Sequence, residues 1–106
     1  GVLPIRRDGD KLVVALSTSG AAPALAVRLK ERLARLFPEA YGELVAFLRT
    51  LRPRIAQIPS FEERKRLWYR IVDQALEELD LDPREGLGRA KEKAEEALKE
   101  VAAWTR

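Results

Sequence analysis

The 106-residue chain contains no cysteine, histidine, methionine or asparagine. Without cysteine there are no disulfides, no thiolate nucleophile and no cysteine-based zinc site. Without histidine the commonest general base and metal ligand is missing. Any metal site would therefore rest on carboxylates or on donors of the substrate itself. Long apolar runs are also missing: none approaches the roughly 20 residues that a spanning helix needs. Gly1-Val2-Leu3-Pro4 lacks the charged start and apolar core of a secretory signal. These absences argue against a membrane association and point to a cytoplasmic setting.

What is present is an ordinary globular composition, 46% hydrophobic and 35% charged, long enough for one domain or for two small subdomains sharing a core. Arginine outnumbers lysine 14 to 6. With the thermolabile residues so depleted, both a thermophilic source and a GC-rich genome fit. The net charge is only +3.

Two strands are expected first, Val2–Ile5 and Lys11–Leu16, joined by Arg6-Arg7-Asp8-Gly9-Asp10, whose Asp-Gly step is a strong turn signal. Leu12-Val13-Val14-Ala15-Leu16 lacks polar alternation, which predicts a strand covered on both faces. Two strands alone form a marginal sheet, so this one wants more strands or a partner subunit. A helix over Ala22–Phe37 is predicted by Leu25, Leu29, Leu33 and Leu36 and is stopped by Pro38. A second begins near Glu39 and must kink or end at Pro53. A third is capped by Ser60 with Glu63, its stripe Trp68, Ile71, Val72, Ala75, Leu76 and Leu79. Asp82, Pro83 and Glu85 repeat the start signal for a fourth, with a seam of Leu87, Ala90, Ala94, Ala97, Leu98, Val101 and Trp104. The expectation is an α+β chain. Residues 1–38 form a strand-hairpin and helix element, and residues 39–106 form a bundle of three helices.

The chemistry-bearing stretch is Ser17-Thr18-Ser19-Gly20, a loop of hydroxyls and a permissive glycine before a helix opened by Pro23. Such a loop offers backbone N–H groups and a positive helix end to an anion. The plainer alternative is that its hydroxyls only cap the turn. The segment Leu12–Pro38 resembles the region after the dinucleotide domain in the precorrin-2 dehydrogenase/sirohydrochlorin ferrochelatase family, which includes the front half of siroheme synthase. In that family the loop lines a cleft for a tetrapyrrole rich in carboxylates. Ser17 and Thr18 match its hydroxyl pair, Gly20 a glycine and Pro23 the helix-opening proline. Ser19 stands where glycine is common, and Ala22 replaces a serine, which removes a natural N-cap. The resemblance implies substrate-binding roles for Ser17, Thr18, Ser19, Gly20 and Pro23, and a homodimer formed by the strands and first helix. It is looser over Glu39–Arg70, mainly in the basic FEERKRLW run of Phe61–Trp68.

No strand-linked GxGxxG occurs, and Gly86-Leu87-Gly88 sits at a helix start. In the family NAD binds a preceding Rossmann domain, and the acid proposed for proton chemistry also precedes this region. The resemblance therefore implies a piece of a larger NAD-dependent enzyme that oxidises precorrin-2 and can also chelate iron. No catalytic, cofactor or metal residue is expected in this chain, which alone would be inactive. Two other classes remain open: a free-standing interaction or scaffold domain, and a nucleic-acid-binding module. Against the latter, Glu62 and Glu63 lead the only basic helix start and would face phosphates. From Arg49 to Arg70 seven bases face two acids, a net of +5, while from Ile71 to Glu100 ten acids face five bases, a net of −5. This asymmetry could steer a polyanion to one end of the bundle, but solvation and pairing within the bundle are favoured. Trp68 and Trp104 are expected in the core, and the adjacent acids Glu77-Glu78 and Glu95-Glu96 are expected to have no local partner.

Overall fold

The computed structural model describes residues 1–104. They form β1 (Leu3–Arg7), β2 (Leu12–Leu16), α1 (Pro23–Ala34), α2 (Ala40–Ile55), α3 (Phe61–Leu81) and α4 (Glu85–Trp104), the expected α+β layout. Two compact units divide inside α2, the first ending at Ala46 and the second starting at Phe47. Among the described residues no helix is long and apolar enough to cross a membrane.

In the first unit β1 and β2 pair antiparallel, with Leu3 opposite Leu16 and Arg7 opposite Leu12. The hairpin is one residue or two longer on its first arm than the sequence suggests. Arg6 and Arg7 belong to β1, and the turn is Asp8–Lys11. Asp8 and Gly9 both adopt positive φ, 51° and 65°, which aspartate and glycine tolerate better than other residues. Ile5 is buried, as are Ala26 of α1 and Ala40 and Leu44 of α2. Arg7 ties the unit together: its Nε donates to the Phe37 carbonyl and its Nη2 to the Ala34 carbonyl at 3.0 Å. It thereby fastens the hairpin to carbonyls at and just beyond the end of α1, that of Ala34 also accepting from the Phe37 N–H. The Asp8 N–H donates to the Glu39 carboxylate. Gly42 is required here, since a Cβ would come within 2.7 Å of the Arg7 carbonyl. Helix α1 ends at Ala34 rather than Phe37, because the approach to Pro38 tightens into i→i+3 bonds at Arg35, Leu36 and Phe37.

The expectation of a strand covered on both faces is corrected. In β2 the residues alternate, with Val13 and Ala15 exposed and Leu12, Val14 and Leu16 half-buried. Val13 is 44% exposed. The apolar run does not alternate in polarity, yet the protomer supplies a cover for one face only.

The second unit is built by the end of α2, α3 and α4 around Leu51, Ile55, Ile58, Leu67, Ile71, Ala94, Ala97 and Leu98. Fully burying one such leucine or isoleucine stabilises by about 1.5–3 kcal/mol. Pro53 sits in the last turn of α2, which ends two residues later at Ile55. Ser60 Oγ accepts from the Glu63 N–H at 3.3 Å, so the N-cap of α3 forms as expected. Asp82 closes α3, donating its N–H to the Glu78 carbonyl at 3.1 Å. It also opens α4, its Oδ1 accepting from the N–H groups of Arg84 and Glu85. Two expectations fail. Leu76 is exposed while Leu67 is buried, and Trp104 is 86% exposed at the end of α4.

Candidate functional site: the strand–helix bend

The bend leaves β2 at Ser17. Ser17 Oγ accepts from the Ser19 N–H at 3.0 Å, and Thr18 Oγ1 accepts from the Ala22 N–H at 3.2 Å. The Thr18 carbonyl accepts from the Ala21 N–H at 3.1 Å. Ser19 and Gly20 have φ of 56° and 78°, and these two left-handed residues reverse the chain. The positive φ at Ser19 is the conformation for which glycine is the natural occupant. Ser17, Ser19 and Gly20 are exposed and Thr18 is half-buried. Both hydroxyl oxygens accept within the loop, as a turn-capping role requires. Each still carries an O–H hydrogen that can donate outward.

Pro23 takes one of the first two positions of α1, where its missing N–H removes one orphan donor. Ala22 at the N-cap has no side-chain oxygen to offer, and the first turn holds no acidic residue. The N-cap residue of α1 thus supplies no side-chain cap and its first turn no compensating carboxylate, and this helix end adjoins the hydroxyls of Ser17, exposed, and Thr18, half-buried. That combination suits an anion. Ser17, Thr18, Ser19, Gly20 and Pro23 all lie on this one turn.

Several charged groups of the second unit are occupied structurally. Glu78, whose side chain is 8% exposed, accepts from Arg89 Nε at 2.5 Å and Lys93 Nζ at 2.6 Å. Hydrogen bonds from Lys93, then Arg89, hold its carboxyl below the usual carboxylate range despite desolvation. Sequence spacing misses this pairing because the partners come from α4. Glu95 likewise turns to Arg54, in a two-pronged pair at 2.7 Å. Arg70 pairs with Glu100 at 2.7 Å. Among the described residues no group of three or more acids could hold a metal ion.

Residues 40–102 match the family described as the sirohaem synthase dimerisation region, and residues 10–36 match the family described as the central part of sirohaem biosynthesis proteins. The chain belongs to the sirohaem synthase dimerisation-region family. It is 37% identical to the siroheme synthase of Thioalkalivibrio sulfidiphilus over 98 residues, 92% of this chain and 20% of that protein. It is 36% identical to siroheme synthase 1 of Halorhodospira halophila over 91 residues, 85% of this chain and 19% of that protein. A third relative, the siroheme synthase of Methylococcus capsulatus, is 36% identical over 102 residues, 95% of this chain and 20% of that protein. The chain spans about one fifth of the length of these curated relatives. The bend and Pro23 fall inside the central-region match. The dimerisation-region match of this sirohaem synthase family member takes in α2, α3 and all but the end of α4.

Proposed function

We propose that this chain is the dimerisation and tetrapyrrole-cleft region of a siroheme-biosynthesis enzyme of the precorrin-2 dehydrogenase type. The whole enzyme oxidises precorrin-2 to sirohydrochlorin with NAD, and no residue of this chain is assigned to the cofactor. Ser17, Thr18, Ser19 and Gly20, with the α1 start set by Pro23, receive substrate carboxylates. The observation that carries this reading is the exposed hydroxyl bend running into an uncapped, acid-free helix start, within the stretch that matches the sirohaem central region. The homodimer is supported by the family's description and by the half-exposed apolar side chains Val13, Leu25 and Val27.

Titration of sirohydrochlorin into the chain tests the cleft. Saturable binding that Thr18→Ser retains and Thr18→Glu weakens at least about tenfold, roughly 1.4 kcal/mol, is the expected result. Equal affinity in all three proteins would overturn the assignment. Sedimentation tests the assembly separately. A dimer is expected at tens of micromolar, shifted toward monomer by Val13→Glu, and a wild-type monomer at that concentration would overturn the dimer.

A further inference from the structure

The second unit carries a cleft of about 590 Å³ between the end of α2 and the first half of α3, and nothing in the proposed role uses it. That size lies in the range of small-ligand sites. Its walls combine two residue classes. Phe61, Trp68 and Tyr69 supply aromatic surface, with Phe61 65% and Tyr69 61% exposed. Arg52, Arg64 and Lys65 supply positive charge, and no acidic residue lines the cleft.

The three cations differ from their neighbours. Arg54 and Arg70, on the same two helices, are paired with Glu95 and Glu100 of α4. Among the described residues no carboxylate forms an ion pair with Arg52, Arg64 or Lys65. Arg64 is also held in place. Its Nη1 donates to the carbonyls of Ile58 at 2.6 Å and Pro59 at 2.9 Å, and its guanidinium lies 5.9 Å from the Phe61 ring centre. A positive charge fixed in advance costs a ligand little ordering entropy.

We infer that this cleft binds a flat aromatic polyanion, its ring system stacked on the Phe61, Trp68 and Tyr69 surface and its anionic groups met by Arg52, Arg64 and Lys65. A simple inorganic anion would leave the aromatic wall in water, and a neutral aromatic would leave three cations without a counter-charge. Both a carboxylated tetrapyrrole and a purine nucleotide have the required chemistry. The site is separate from the Ser17–Gly20 bend and stands or falls without it.

The chain has two tryptophans, and Trp104 lies outside the cleft, so Trp104→Phe leaves Trp68 as a single reporter. Uroporphyrin and ATP are titrated into this variant while Trp68 emission is followed. Saturable quenching by at least one of them is expected, weakened at least about tenfold when Arg52→Glu and Lys65→Glu are added and unaltered when Thr18→Glu is added instead. Both charge reversals are at exposed positions, and an unchanged melting temperature verifies the fold. Quenching by uroporphyrin identifies a carboxylated macrocycle as the ligand class, and quenching by ATP identifies a nucleotide. The inference is overturned if neither probe quenches, if the charge-reversed protein binds as tightly, if Thr18→Glu abolishes the signal, or if only a single-stranded oligonucleotide binds.

Discussion

Ser19 is a non-glycine residue in left-handed backbone, φ 56°, which costs an L-residue roughly 1–2 kcal/mol. Glycine there forfeits about 0.5–1 kcal/mol of unfolded-chain entropy. The balance predicts that Ser19→Gly stabilises the chain by about 0.5 kcal/mol, read as a rise in the urea midpoint at constant slope. Glu78 yields a second residue-scale expectation. Its folded carboxyl titrates below the ordinary glutamate range because Lys93 and Arg89 donate to it. The stability it contributes is therefore complete above the unfolded glutamate pKa and lost as pH falls through the depressed folded value. Glu95 and Glu100, lowered by Arg54 and Arg70, act in the same direction. Melting temperatures measured on descending pH should fall less steeply for Glu78→Gln than for the wild type, from a lower starting value at neutral pH. An unchanged slope would refute the role given to this carboxylate.

At the scale of elements, two glycines of α4 make opposite predictions. A Cβ on Gly86 would overlap the Glu78 carbonyl of α3, whereas nothing lies within 4 Å of one built on Gly88. Gly86→Ala is expected to cost about 1–3 kcal/mol as overpacking. Gly88→Ala is expected to gain up to about 1 kcal/mol from helix propensity alone, and thermal melts of the two variants check both signs. Element types were readable from the sequence because their signals are local. They include the Asp8-Gly9 turn, Pro23, the Ser60 cap and Asp82 before α4. What proved unreadable depended on partners distant in sequence. Glu78 looks like a solvated acid until Arg89 and Lys93 fold beside it. Trp104 keeps the seam's spacing yet stays exposed at the end of α4, and Leu67 lies just ahead of the stripe that begins at Trp68. The bend was legible as a small-residue loop whose hydroxyls could cap the turn, and both hydroxyl oxygens do accept within it. The aromatic and basic cleft was legible only as a charge run, since pairing with α4 decides which cations remain uncompensated.

At the scale of the whole molecule, exposed apolar side chains occur in both units. Val2, Val13, Leu25, Val27 and Leu36 lie in the first, and Phe61, Tyr69, Leu76, Leu81 and Trp104 in the second. The family's dimerisation match falls on the helices from residue 40 onward, while the open strand belongs to the hairpin. The sedimentation response to Val13→Glu therefore reports whether the hairpin takes part in self-association. The buried face of α4 has a consequence of another kind. It buries Gly86, Ala90, Ala94, Ala97 and Leu98, and the first four have no rotamers to freeze. At these four small positions, closing the pair of helices withdraws almost no side-chain freedom, and the fit there is set by how near two backbones can come. A bulkier group at Gly86, Ala90, Ala94 or Ala97 would work as a wedge, prising at Asp82, whose N–H closes one helix and whose carboxylate opens the next.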